Sequence, residues 1–314
     1  MTPDFRIVES KKKDGLGEIL VASLRGDGSH LVEFVDTRDP RFPVEEKWVT
    51  ILSTQFGCPV GCLFCDAGGM FLGNLMPGEM LFLLDFLVDR RFPGRKVPVP
   101  KWKLHFARMG EPALNPSVLE VLEMLPERYD APGLIPTVPT IAPARSGAWF
   151  ERLLEIKNRL YPGGRFQVQF SANSTDEDYR DRIMPHPKWS LEEIARFGET
   201  WFEEGDRKLT LNFALGPGIP FDPARVAELF DPGKFLVKIT PVNQTERARE
   251  NGIATFLAPE RTSLPEEILA PLEEARFEVV LSIGEAEEID LGTNCGQAVS
   301  RILRERAFQA AGRD

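Results

Sequence analysis

The feature that most limits the fold of this chain is a regular alternation of strand-like and helix-like segments over most of its length. Residues 49–54 read as a strand, and 79–90 carry the apolar spacing of a helix. A strand at 102–107 is followed by Asn115-Pro116, which opens a helix: Asn caps it, and Pro occupies a first turn where no N–H is needed. A broken strand at 134–141 precedes a helix at 148–160, and 166–170 is a clean strand. Ser190 with Glu193 forms a capping box for a helix to about residue 202. Segments at 208–214, 223–230 and 235–239 continue the pattern, and a helix at 265–275 leads into a strand at 277–283. Such alternation implies parallel βαβ units with right-handed crossovers. About six units are countable, short of the eight that close a barrel of roughly 250 residues. The expected fold class is therefore α/β, a partial (β/α)6 barrel.

A small extension precedes these units. Residues 18–23 and 30–35 are strand-like, and Gly26-Asp27-Gly28 between them is a hairpin signal. Residues 36–46 contain two prolines and many charges and read as a linker. The expected organisation is an N-terminal β-hairpin extension with linker (1–46), the partial barrel (47–300), and a C-terminal tail (301–314) that is a short charged helix or a frayed end.

The chain has 314 residues, 42% hydrophobic and 27% charged, the composition of an ordinary globular protein. The longest nearly apolar stretch, 80–88, is too short to cross a bilayer. The first thirteen residues lack the apolar core of a secretory signal. A cytoplasmic protein without a membrane partner is expected. The net charge of −10 disfavours a wide nucleic-acid-binding face, which calls for basic surface.

Three of the four cysteines fall in Gly57-Cys58-Pro59-Val60-Gly61-Cys62-Leu63-Phe64-Cys65, with spacing C-x3-C-x2-C. In a cytoplasmic protein such a cluster reads as metal binding before disulfide chemistry. It follows the first strand of the alternating region, at the strand end where barrel-like folds carry their chemistry. Three thiolates on one loop can hold three irons of a 4Fe-4S cubane and leave the fourth open to a small chelating molecule. Structural zinc usually takes four ligands in paired units, and no second pair exists here.

The spacing, with Phe64 before the last cysteine, resembles the radical S-adenosylmethionine superfamily. Further segments occur in order: Ser53-Thr54-Gln55-Phe56-Gly57-Cys58, Met109-Gly110-Glu111-Pro112-Ala113-Leu114-Asn115, Ser171 with Asp181-Arg182-Ile183-Met184-Pro185, Thr240-Pro241-Val242-Asn243, and Asn294-Cys295-Gly296-Gln297. Together they resemble the family that methylates an adenine of large-subunit ribosomal RNA at carbon 2, with relatives acting at carbon 8. The resemblance runs from about residue 17 to 297.

It implies a 4Fe-4S cluster on Cys58, Cys62 and Cys65, and S-adenosylmethionine beside it. Phe64, Met109, Gly110 and Glu111 would flank the cofactor, with Gly110 and Glu111 holding its methionine amine. Ser171, Asn173 and Asn243 would reach its ribose or carboxylate, and Thr137 stands near a family serine. Where Asn173 stands the family usually has histidine. Cys295, beyond the last strand, would carry a methyl group destined for an sp2 carbon. A lone cysteine is otherwise most simply a small buried hydrophobe. Glu33 matches a family glutamate proposed as a base, and a solvated strand face is the equal alternative. A flavodoxin- or ferredoxin-like electron donor is implied.

Two departures stand out. The family's resolving cysteine, seven residues before Cys58, is here Ile51. The family's N-terminal helical RNA-binding domain has no counterpart in the roughly 45 residues before the first barrel strand. Arg90, Arg91, Arg95, Lys96, Lys101 and Lys103 cluster, with Phe92 and Trp102 among them, and read as a solvated loop rather than a stacking platform. RNA and a smaller molecule both stay open as substrates. A non-methylating radical enzyme and a catalytically silent cofactor-binding relative are the competing readings.

Overall fold

The computed structural model describes residues 4–26, 28–39, 41–256, 266–282 and 297–311. Its strands are β1 (Arg6–Lys13), β2 (Gly17–Ser23), β3 (Leu31–Arg38), β4 (Lys47–Leu52), β5 (Gln55–Gly57), β6 (Phe71–Asn74), β7 (Lys101–Phe106), β8 (Leu134–Thr140), β9 (Gln167–Ser171), β10 (Leu209–Leu215), β11 (Phe235–Pro241) and β12 (Val279–Leu281). Its α-helices are α1 (Pro77–Arg91), α2 (Ser117–Arg128), α3 (Gly147–Leu160), α4 (Glu177–Ile183), α5 (Leu191–Trp201), α6 (Pro223–Leu229), α7 (Glu246–Glu250), α8 (Glu266–Glu274) and α9 (Gln297–Ala311).

Ten strands form one open sheet in the order β1-β2-β3-β4-β7-β8-β9-β10-β11-β12. From β4 onward every pairing is parallel, and neighbours in the sheet follow chain order, as the alternation predicts. The fold is thus α/β with a largely parallel sheet. β1, β2 and β3 extend the same sheet antiparallel through β4. The predicted hairpin is β2–β3, and β1 is an additional edge strand.

The register separates two faces. One face carries Trp48, Trp102, Leu104, Phe106, Val138, Phe170, Leu211, Phe213, Val237 and Ile239, all buried in the main core, to which α1, α2, α3 and α5 also contribute. Each parallel strand places its apolar residues there because that face meets helices. The opposite face is polar in the middle of the sheet: Lys103 pairs with Ile135, His105 with Thr137, Thr137 with Gln167, and Asn212 with both Ser171 and Lys238.

Local signals fall where expected. Ser190 and Glu193 make the capping box of α5. Asn115 Oδ1 accepts the Ser117 N–H at 3.0 Å to start α2. β8 is continuous despite Pro136 and Pro139, because Leu134, Ile135 and Val138 are buried in a strand paired on both sides. The C-terminal segment is a helix already at Gln297, and it is not a free tail: Ala298, Val299 and Ile302 pack with Ile19, Val21, Leu31 and Val35 in a second core. The charge of 301–314 conceals that short apolar stripe. Among the described residues, no helix is long and apolar enough to cross a membrane.

Candidate functional site

The three clustered cysteines lie on the loop that joins β5 to β6, just past the C-terminal end of β4. β5 and β6 pair antiparallel, and the Cys58 N–H donates to the Met70 carbonyl at 3.1 Å, so the loop closes on itself. Gly57 makes this closure possible. Its φ is +78°, and a Cβ there would stand 1.2 Å from the Met70 oxygen.

Distant parts of the chain fasten this loop. The Asp66 carboxylate accepts the N–H groups of Arg247 (3.0 Å) and Glu246 (3.3 Å), free donors in the first turn of α7. The Thr245 hydroxyl donates to the Phe64 carbonyl at 2.9 Å, and the Asn251 amide to the Leu63 carbonyl at 3.1 Å. From α9, the Ser300 hydroxyl donates to the Asp66 carbonyl at 2.6 Å. The Leu63 N–H reaches the Ile183 carbonyl at 2.9 Å.

The segment after β7 forms the facing wall. The Met109 carbonyl accepts the N–H groups of Thr54 (2.8 Å) and Gln55 (3.2 Å), and Gln55 Oε1 accepts the Glu111 N–H at 2.8 Å. Gly110 has φ +106°, and a Cβ would lie 2.5 Å from Thr54 Oγ1 and 2.8 Å from Gln55 Cβ. Asn115, fully buried, donates to the carbonyls of Thr54 (2.7 Å) and Leu75 (2.9 Å), which ties this wall to the base of the cysteine loop. Gln55, Asp66 and Asn115 were invisible as site residues, because each acts on backbone groups that only the fold brings near.

Electrostatically the loop is set for an electron-deficient partner. Burial pushes the Cys58 thiol up to about 11, and the charge of Glu111 adds to it; backbone N–H groups of Val60, Gly61 and Gly110 act in the opposite direction. Cys62 is pushed higher still by burial, Cys58 and Glu111, against a smaller pull from Lys188. The Cys58 and Cys62 thiols are therefore held towards their protonated form until a cation joins them, and the N–H groups turned to the Cys58 sulfur are the donors that iron–sulfur thiolates use. Among the described residues no three His, Cys, Asp or Glu side chains converge on a single metal ion. Thiols that each hold a different iron of a cubane have no need to converge in that way. The donor set fits a cluster better than a mononuclear ion.

Glu111 faces inward. Its carboxylate accepts the Ala113 N–H (3.0 Å), the Ile141 N–H (2.9 Å) and the Thr140 hydroxyl, and burial pushes it up to about 7 against those bonds. Phe64 packs with Val60, Ile141, Ile183 and Met184 beside Cys58 and Cys62. Met109 is buried in the second core, where Ile51, Cys58 and Cys65 also pack. Ser171 ends β9 and is half-buried, and Asn243 is half-buried after β11. Asn173 has φ +63° and is buried; its Oδ1 accepts the Ala214 N–H at 3.2 Å and its amide meets the Met184 sulfur at 3.0 Å. Thr137 lies on the polar sheet face between His105 and Gln167.

Glu33 is not on a solvated face. It is fully buried, forms an ion pair with Arg108, and accepts the Val299 N–H at 2.9 Å. Arg108, the residue before Met109, is the unforeseen partner. Cys295 lies outside the described residues.

No protein-family model matches the chain. The dual-specificity RNA methyltransferase RlmN of Solidesulfovibrio magneticus is 34% identical over 225 residues, covering 70% of this chain and 58% of that protein. RlmN of Anaeromyxobacter dehalogenans is 30% identical over 210 residues, covering 64% of this chain and 54% of that protein. This chain thus spans a little over half the length of both relatives. The probable RlmN of Petrotoga mobilis is 24% identical across 91% of this chain. A radical SAM methyltransferase from Sphaerobacter thermophilus superposes with a TM-score of 0.68 at 22% identity, over 93% of this chain and 80% of that one. This chain is a homologue of the RNA methyltransferases named RlmN, built on the fold of a radical SAM methyltransferase.

Proposed function

We propose that this protein is a radical S-adenosylmethionine methyltransferase in which Cys58, Cys62 and Cys65 hold a 4Fe-4S cluster. The observation that carries the reading is the cysteine loop itself: three thiols past the end of β4, anchored by α7 and α9 and faced by Gly110 and Glu111. When bound and reduced by a flavodoxin- or ferredoxin-like donor, the cluster supplies the electron that cleaves S-adenosylmethionine.

The protein's own residues have separable roles. Gly110 lets the wall close on Thr54 and Gln55, and Glu111 fixes the loop ends of β7 and β8, where its charge would favour the methionine amine of the cofactor. Phe64, Met109, Ser171 and Asn243 complete the cofactor surroundings. Asn173 and Thr137 contribute from behind, since both are buried. Cys295 would take a methyl group from one S-adenosylmethionine by displacement, with S-adenosylhomocysteine leaving; the 5′-deoxyadenosyl radical from a second would remove one hydrogen atom from that methyl as 5′-deoxyadenosine, and the resulting carbon radical would add to an sp2 carbon of RNA or a smaller unsaturated molecule. Glu33 positions the segment after Cys295 through Val299 rather than meeting solvent. Ile51, in the second core with Cys58 and Cys65, offers no thiol for resolving a Cys295 adduct, so release depends on an external thiol or another route.

The test is anaerobic reconstitution with iron and sulfide, reduction, and incubation with S-adenosylmethionine. The expected results are 5′-deoxyadenosine and a 14 Da gain on the Cys295 peptide, about one methyl group. A cluster-bearing protein that cleaves no S-adenosylmethionine sinks the whole reading. Cleavage with only free thiol at Cys295 leaves a radical enzyme and removes the methyl transfer.

A further inference from the structure

The end of the sheet away from the cysteine loop carries a cavity of about 420 Å3 that the radical chemistry does not use. It lies between the turn that joins β1 to β2, the last residues of β3 and the last turn of α1. β3 runs antiparallel to β4, and Arg38 stands opposite Trp48, so the cavity sits at the start of β4 while the cysteines follow its end. The six residues of β4 lie between the two, about 20 Å of strand. The volume is ordinary for a small-molecule site, which takes about 300–1,000 Å3.

The lining is cationic in a chain whose net charge is −10: Lys12, Lys13, Arg38, Arg90 and Arg91 stand there with Asp14, Glu18 and Asp36. Two of the carboxylates are already engaged twice. Glu18 accepts the Ser10 hydroxyl at 2.5 Å and Arg90 at 2.9 Å. Asp36 accepts the Trp48 indole N–H at 2.7 Å and Arg91 at 3.0 Å. Asp14 is fully exposed and meets Lys12 at 3.9 Å, a pair that solvent screens. α1 ends at the cavity, and Arg90 and Arg91 in its last turn outweigh the partial negative charge of that helix end.

Arg38 is the fixed element of the site. Its Nε donates to the Gly15 carbonyl at 2.5 Å, which holds the guanidinium against the β1–β2 turn. A Cβ on Gly15 would stand 3.3 Å from Arg38 Nη2, so the missing side chain leaves room for the fork. Among the described residues no carboxylate pairs with this guanidinium, and its Nη groups have no acceptor. A held fork with free N–H groups matches two oxygens of one phosphate. Five cations against three carboxylates leave an excess of two positive charges, which a phosphate group of about −1.5 to −2 offsets.

We propose that this cavity binds a small molecule through its phosphate group, gripped by the Arg38 fork and flanked by Arg90, Arg91 and Lys12. The site does not rest on the cysteine loop's holding a cluster. An occupant ties the β1–β2 turn to the end of α1, which the Arg90–Glu18 pair already joins to β2 and the Arg91–Asp36 pair to β3.

The test uses the full-length protein in about 0.15 M salt, where exposed charges are screened beyond about 8 Å. The probes are inorganic pyrophosphate, citrate and a short RNA oligonucleotide. Affinity is read by calorimetry, and backbone hydrogen exchange by mass spectrometry. Pyrophosphate is expected to bind saturably and to slow exchange at 12–18, 36–38 and 88–92. Arg38→Met is expected to weaken that binding about tenfold or more, the effect of losing charged hydrogen bonds. No binding of pyrophosphate, binding without slowed exchange in those segments, or equal affinity in folded Arg38→Met overturns the site. Citrate binding as tightly as pyrophosphate overturns the phosphate assignment, and binding of the oligonucleotide alone overturns the small-molecule assignment. The wild-type exchange experiment decides the matter even if the variant fails to fold.

Discussion

The Glu33 carboxylate accepts the backbone N–H of Val299 at 2.9 Å across 266 residues of sequence, while its other oxygen is paired with Arg108. One buried carboxylate thus joins the N-terminal extension, the wall before Met109, and the helix that follows Cys295. Removing it takes the paired carboxylate from a guanidinium with 2% side-chain exposure. Breaking one partner of a buried pair costs about 3–5 kcal/mol. Glu33→Ala should lower the thermal midpoint strongly and raise hydrogen exchange across 297–303. A variant with unchanged exchange in that segment would refute the anchoring role.

Gly110→Ala should damage the site more than the fold. The added methyl meets Thr54 and Gln55 within 3 Å at a φ of +106°. Overpacking of this kind costs about 1–3 kcal/mol, concentrated where the wall meets the cysteine loop. We expect a folded protein that retains less iron after reconstitution, measured by visible absorbance and iron content. Full iron loading would show that the close approach is not needed.

Asp66→Ala should loosen the cysteine loop from α7. The carboxylate satisfies two helix N–H groups, and loss of such a capping acceptor costs about 1–2 kcal/mol. Exchange protection should fall together at 58–70 and 245–251, and Asp66→Asn should restore part of it, because its amide oxygen still accepts one bond. Loss confined to one segment would separate the two.

Thr137→Val should stabilise the protein by about 1 kcal/mol, since it replaces a buried hydroxyl that has no hydrogen-bond partner among the described residues with a methyl of similar size. Chemical denaturation measures this. Destabilisation would mean that the hydroxyl has an acceptor in solution.

Lys103 makes stability depend on pH in a defined sense. Burial lowers its ammonium from 10.5 to about 7 in the folded chain. Between those values the folded state binds fewer protons than the unfolded state, so unfolding takes up protons and stability rises with pH. The contribution is complete above about 10.5 and is lost as pH falls towards about 7. In Lys103→Met the rise between pH 7 and 10 should be shallower than in the wild type. Identical slopes would place Lys103 in ordinary solvent.

The strand–helix alternation was legible because it rests on local chemistry: apolar periodicity, the Asn115 cap, and the Ser190–Glu193 box each act within a few residues. The edge strand β1 was not, because Arg6–Lys13 is mostly charged and owes its conformation to pairing with β2. The helical stripe of Ala298, Val299 and Ile302 was hidden for a similar reason, being meaningful only against β2 and β3.

By itself the sequence determined the α/β order of the chain and the C-x3-C-x2-C loop at a strand end, since spacing and periodicity are written along the backbone. Tertiary structure alone decided how that loop is held. Asp66 meets α7 some 180 residues away, Glu33 meets α9, and Glu111 turns inward to β8 rather than outward to solvent. It also decided that Lys103 and Lys238 share one face. Hydrogen bonds and charges act through space, and only the closed chain sets those distances.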